Sequence, residues 1–144
     1  MSPIHRHPLT VPSGAIDANG HANNVEYMRW MQDAAISHAD AAGCTAVTRA
    51  AGASWVVRSH HVEYLRPVFA GEDLVILTWI STLQRASSAR KYLILRVSDH
   101  ALAARGETHW VFVDAATGRP RAILPEIMAG FQIVPAAEEP HGWT

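Results

Sequence analysis

Hydrophobic and polar positions along the chain change rhythm twice, and those changes divide it into elements. Over residues 24–42, Val25, Met28, Met31, Ala35, Ala39 and Ala42 recur every three or four residues, the period of one helix face. This predicts one long helix. Asn23 and Glu26 stand at capping-box spacing, with Asn in place of Ser or Thr, and Gly43 suits the left-handed position that ends a helix. Trp30 and the many alanines predict a helix covered on much of its circumference, central to the domain. Residues 5–16 read as an extended strand that turns at Pro12, Ser13 and Gly14.

After a connection over residues 45–54, four β-rich segments follow, at 55–65, 73–83, 91–98 and 102–113, with turn-like separators at 67–72, 84–90, 99–101 and 114–118. Connections this short imply antiparallel neighbours, because parallel pairing needs a crossover of a dozen or more residues. Residues 124–128 then predict a short helix with Pro125 in its first turn, and residues 135–144 read as a loose tail. Strand, helix, four strands make a single α+β domain. In the segment from Leu74 to Leu83 both faces are apolar, with Leu74, Ile76 and Ile80 on one and Val75, Leu77, Trp79 and Leu83 on the other. One helix covers one face of a sheet, so a two-faced strand predicts a sheet curled around the helix and extended by a second subunit, a homodimer.

Composition narrows the function classes. At 144 residues the chain fits one domain, and 49% apolar with 17% charged residues is a globular balance. Twelve Lys and Arg against 13 Asp and Glu leave a formal charge of -1, which provides no field for holding nucleic acid. The first nine residues lack the apolar run of a secretory signal and no later stretch reaches a membrane span, so the expectation is a cytoplasmic protein without membrane partners. Cys44 is the only cysteine, which excludes an internal disulfide and zinc sites needing several thiolates. It follows Gly43 past the helix end and reads as a small buried apolar residue, not a nucleophile.

The polar run from Asp17 to Asn24, Asp-Ala-Asn-Gly-His-Ala-Asn-Asn, lies between the first strand and the helix. Gly20 permits a sharp turn that would bring the Asp17 carboxylate close to the helix start. The first N–H groups of a helix have no internal partner and carry the positive end of its dipole, which suits a carbonyl oxygen becoming negative. By spacing alone, Asp17, Asn19, Asn23 and Asn24 read equally as turn and cap residues.

Residues 17–30, Asp-Ala-Asn-Gly-His-Ala-Asn-Asn-Val-Glu-Tyr-Met-Arg-Trp, closely resemble the signature of hotdog-fold thioesterases of the 4-hydroxybenzoyl-CoA thioesterase type. Residues 62–74, Val-Glu-Tyr-Leu-Arg-Pro-Val-Phe-Ala-Gly-Glu-Asp-Leu, and the order of elements extend the resemblance over residues 5–131. It implies an antiparallel sheet wrapped around the long helix, two subunits paired edge to edge as a homodimer or within a dimer of dimers, a homotetramer, and hydrolysis of an acyl-CoA or acyl-carrier thioester without a further cofactor. It also implies roles. Asp17 matches the aspartate that attacks the thioester or activates water, and Asn24 matches the helix-start residue whose backbone N–H holds the carbonyl oxygen. His21 and Asn23 stand where the family varies, with His21 placed to bind or polarise substrate. Ser87, Ser88, Arg90 and Lys91, read as a turn, offer two hydroxyls and two cations for the phosphates of coenzyme A, or else a solvated hairpin.

Other candidates carry less. Glu63 stands where some hotdog enzymes hold an acidic catalytic residue, beside the plainer reading of a paired strand carboxylate. His60 and His61 point to opposite faces and cannot share a metal, and His5 with His7 lacks a third ligand, so no metal site is expected. Trp55, Trp79 and Trp110 read as core and dimer packing. The absence of a Gly-x-Ser-x-Gly elbow argues against the α/β-hydrolase route. A hotdog protein that binds an acyl thioester without cleaving it is the main alternative. A dehydratase ranks below it, because His38 and Asp33 lie away from the helix start.

Overall fold

The computed structural model describes residues 2–143. Strand β1 (His5–Thr10) leads through a 3-10 turn (Ser13–Ala15) to helix α1 (Asn24–Ala41), and helix α2 (Cys44–Ala50) follows. Strands β2 (Ala53–Tyr64), β3 (Asp73–Leu83), β4 (Ser87–Arg96) and β5 (Leu102–Asp114) come next, then helix α3 (Pro125–Gly130). The strands form one antiparallel sheet in the order β1-β3-β4-β5-β2, with α1 against its inner face, the hotdog architecture.

Helix α1 buries Tyr27, Trp30, Met31, Ala34, Ala35 and His38, a stripe rotated from the one its purely apolar residues predict. Val25 is 56% exposed, whereas Tyr27 and Trp30 go inside, because their large ring area outweighs one polar atom that can find a partner. The stripe meets Leu74 and Ile76 of β3, Tyr92 and Ile94 of β4, and Ala104 of β5. Gly106 on β5 lets the helix settle this closely, since a Cβ there would stand 2.8 Å from the Met31 sulfur.

The residues 45–54 expected as a connection instead contain α2. Gly43, at φ +76°, ends α1 and serves as the N-cap of the second helix, and seven residues are too few to display a helical period. Cys44 is therefore the first residue of a helix and not a residue trailing one. It remains a buried residue, 2% exposed, and burial pushes its thiol pKa up.

Two further corrections concern the sheet. Strand β4 begins at Ser87, so Ser87 to Arg90, expected as a turn, pair with β5 from Val111 to Thr108. The irregularity between Ile80 and Thr82 in β3 returns Leu83 to the inner side, where it packs with the cluster around Phe112 and Ile127, away from Leu77 and Trp79.

The outer face of β3 and β4 is covered by this chain's own C-terminal segment. Val134 packs on Leu77, Trp79, Leu93 and Leu95, and its N–H donates to the Ile80 carbonyl at 2.9 Å, beyond the end of β1's pairing. Glu139 accepts hydrogen bonds from the Trp79 indole at 2.9 Å and from the Lys91 ammonium at 3.0 Å. Trp143 stacks on His100 with ring centres 4.3 Å apart. The tail expected to be loose is a strap over its described length. It explains the two-faced β3 without a second subunit on that face.

Candidate active site

Between β1 and α1 the chain closes into a small loop before the helix begins. Ile16 and Ala22 form an antiparallel bridge, the Asp17 N–H donates to the His21 carbonyl at 3.1 Å, and the Gly20 N–H donates to the Asp17 carbonyl at 3.0 Å. Gly20 makes the turn at φ +83°, where an L side chain would be strained. The Ala22 N–H donates to Val68 and the Asn23 N–H to Ala15, both at 2.9 Å, so the loop is pinned from outside as well.

The half-buried Asp17 carboxylate points back at the helix start. One oxygen accepts from the Asn19 N–H at 2.9 Å and the other from the Asn23 side-chain amide at 3.3 Å. Asn23 is the N-cap, its side-chain oxygen accepting from the Val25 N–H at 2.9 Å while its carbonyl accepts from the Glu26 N–H at 3.0 Å. The reciprocal half of the expected capping box is missing. The Asn23 N–H is taken by Ala15, and Glu26 turns to Arg29 at 3.6 Å. The Asn24 N–H, on an exposed residue, has no acceptor among the described residues. A carboxylate thus lies next to an open main-chain donor at the positive end of an 18-residue helix, an arrangement suited to attack on a polarised carbonyl.

His21 is half-buried, with its Nδ1 3.2 Å from the Ala22 carbonyl, which leaves Nε2 as an acceptor when Nδ1 carries the proton. Tyr64, at the end of β2, donates to the Asn24 carbonyl at 3.1 Å and ties that strand end to the helix start. Glu63 is an exposed carboxylate paired with Arg105 at 2.9 Å, and the Arg105 hydrogen bond holds its pKa below the usual range. It fits the plainer of its two readings.

The residues proposed to clamp phosphates are not together. Strand alternation puts Ser88 and Arg90 on the inner face with Tyr92 and Ile94, while Lys91 faces outward to Glu139. Ser87 donates to Gln84, and Ser88 donates to the Thr82 carbonyl. The four cannot converge on one anion. Period-2 alternation with Tyr92 and Ile94 was the signal that Arg90 faces inward.

At the other end of α1 lies a cavity of about 470 Å³, lined by Ala35, Ile36 and Ala39 of the helix and by Trp55, Arg90 and Trp110 among others. Trp79 is a core residue, as expected, and lies under the C-terminal strap, while Trp55 and Trp110 pack against the core clusters and also line this cavity. The guanidinium of Arg90 donates to His38 Nδ1 at 2.9 Å and to Thr78 at 3.0 Å. Burial first, then the charge of Arg90, pushes His38 down to about 3, so the ring is neutral and accepts at Nδ1. The cavity meets α1 about 16–22 Å beyond Asn24, at about 1.5 Å of rise per residue. Asp17 does not line it.

Comparisons with known proteins agree with this architecture. Residues 11–131 match the model of the thioesterase-like superfamily. The chain is 29% identical over 137 residues to an L-carnitine dehydrogenase/betainyl-CoA thioesterase from Agrobacterium fabrum, covering 95% of this chain but spanning only 28% of that relative's length. A DHNA-CoA thioesterase from Staphylococcus aureus superimposes with a TM-score of 0.83 at 20% identity, covering 92% of this chain and 97% of that one. A 1,4-dihydroxy-2-naphthoyl-CoA thioesterase from Synechocystis gives 0.80 at 13% identity, covering 88% and 94%. Among the described residues no helix is long and apolar enough to cross a membrane. By the family match over most of its length and by its fold, the chain belongs to the thioesterase-like superfamily as a hotdog-fold protein.

Proposed function

We propose that this chain hydrolyses an acyl-CoA or acyl-carrier thioester to the free acid and thiol. The observation that carries the reading is the Asp17 carboxylate held by Asn23 beside the open Asn24 N–H. Asp17 attacks the thioester carbon or removes a proton from the water that does, and the Asn24 N–H receives the carbonyl oxygen as it gains charge. His21 borders the same loop and offers Nε2 to the substrate. The C–S bond then breaks with a thiolate as leaving group, which departs without a strong acid; on the direct route water then cleaves the acyl–aspartyl anhydride, releasing the free acid and regenerating Asp17.

The acyl group needs a pocket, and the apolar cavity of about 470 Å³ lies too far along α1 to be served by the Asp17 of the same chain. A second copy removes the difficulty. Strand β2 is a 12-residue sheet edge, whereas the other edge, β1, is six residues long and carries Pro8, which cannot donate to a ladder. Val56 and Tyr64 on β2, and Val25 and Ile36 on α1, are exposed large apolar residues. Antiparallel pairing of two β2 strands sets the start of one beside the end of the other. The start, at Ala53 and Trp55, lines the cavity, and the end, at Tyr64, is bonded to Asn24. In the proposed homodimer each Asp17 loop therefore opens onto its partner's cavity.

Thiol release from a panel of acyl-CoAs, compared between the wild type and Asp17→Asn, tests the chemistry. Release that the substitution abolishes supports it, and binding without release by either protein leaves a non-catalytic thioester-binding module. Light scattering tests the dimer, with a monomer at catalytic concentrations counting against the shared site.

A further inference from the structure

Arg90 is a buried cation without an anionic partner. It is 4% exposed, it forms no ion pair among the described residues, and its two hydrogen-bond partners, His38 and Thr78, are both neutral. Among the described residues no carboxylate touches it, and the acidic groups nearest in influence are Tyr92 and Cys44, which stay protonated near neutral pH. Leaving a guanidinium in a low-dielectric interior without a counter-charge is costly unless something else supplies one.

Among the described residues only the Nη1 group of Arg90 has protein acceptors. The remaining N–H groups have none, yet none of the Arg90 nitrogens is among the fully sealed, unpartnered atoms, so those left over open onto the cavity that Arg90 lines. Thr48 lines the same cavity and has a buried hydroxyl without a partner. The rest of the lining is largely apolar, with Ala35, Ala39, Trp55 and Phe131 around the buried guanidinium and the exposed Arg49 as the cavity's second cation. The Arg90 guanidinium is held rigidly, by the two bonds from Nη1 and by Phe131, whose ring centre lies 5.6 Å away.

We propose that Arg90 recognises a carboxylate at the far end of the acyl group, so that the preferred substrates are thioesters of dicarboxylic acids. The proposal rests on the thioester-hydrolase reading and on the cavity being the acyl pocket. A guanidinium fork matches a carboxylate in shape as well as charge, and an apolar sleeve around it suits the methylene or aromatic spacer between the two ends. The phosphates of coenzyme A are a poorer match, because the attached nucleoside would have to follow them into a largely apolar cavity.

The test compares adipyl-CoA with hexanoyl-CoA, equal in chain length and different in the terminal group, in the wild type, Arg90→Met and Arg90→Lys. The ratio of kcat/KM for adipyl over hexanoyl is expected to exceed 10 in the wild type, to fall about 10- to 100-fold in Arg90→Met, the range for a lost hydrogen bond to a charged group, and to recover in part in Arg90→Lys. A wild-type ratio at or below one overturns the proposal even if no variant folds. An equal loss on both substrates in a folded Arg90→Met also overturns it, and assigns Arg90 to packing or to coenzyme A. If neither substrate is cleaved, calorimetric titration with their non-hydrolysable thioether analogues separates the two ideas. Tighter wild-type binding of the carboxylate analogue, lost in Arg90→Met, upholds the pocket while the hydrolase reading fails. Equal binding of the two analogues ends the proposal.

Discussion

The two ends of helix α1 handle charge in opposite ways. At its start, Asp17, Asn19, Asn23 and Asn24 form an exposed polar loop in which contiguous residues satisfy one another, leaving one main-chain N–H open. Towards its other end, His38, Thr78 and Arg90 come from three separate elements and meet in the dark, with a cation kept charged and a histidine kept neutral side by side. On the proposed reading, reactivity at the first end follows from what is left unsatisfied near water. Selectivity at the second follows from what is fixed away from it.

Asp17→Asn is the sharpest cut between the two, because it keeps the shape of the loop and an acceptor for the Asn19 N–H while removing the charge and the acceptor for the Asn23 amide. The expected loss is about 10²–10⁴-fold in kcat at unchanged stability, the range for removing a positioned base, read by thiol release and thermal unfolding together. Acidification attacks the opposite end. An unfolded His38 takes up a proton near 6.5, but the folded one resists until about 3, so the unfolded state binds more protons in between and stability is lost as pH falls through that window. Melting temperatures should fall from pH 7 to pH 4, with a shallower slope in His38→Gln.

Between the ends, Gly106→Val drives a side chain into Met31 and lifts the helix from the sheet, with an expected cost of about 1–3 kcal/mol in denaturant unfolding. The smallest effect belongs to the cap. Asn23→Ala removes both the Val25 bond and the bond to Asp17, for about 1 kcal/mol of stability, and a larger fall in activity than in stability would show that Asn23 also positions Asp17.

The same contrast governs what could be read from the chain before its coordinates. The loop and helix start were legible because Asp17, Gly20, Asn23 and Asn24 lie within eight consecutive residues and their preferences are local. Strand β3 was legible to the residue for the same reason, a run rich in apolar and β-prone residues between turn residues. The cavity was not, since α1, α2 and the starts or ends of β2, β3, β4 and β5 contribute to it from across the chain. Polar residues misled where their partners were distant. Ser87 to Arg90 read as a turn until Val111 and Thr108 supplied the opposing strand, and Glu139 read as part of a loose end until Trp79 and Lys91 claimed its carboxylate. Helix α2 was hidden by the glycine that caps it.

That last segment has a consequence for solubility. By lying across Leu77, Trp79, Leu93 and Leu95, the strap from Val134 to Glu139 hides an oily plate that would otherwise glue one molecule to the next. Clipping the chain just after Phe131 would leave the Asp17 loop and the cavity lining intact, and the damage would be seen first as turbidity on concentration.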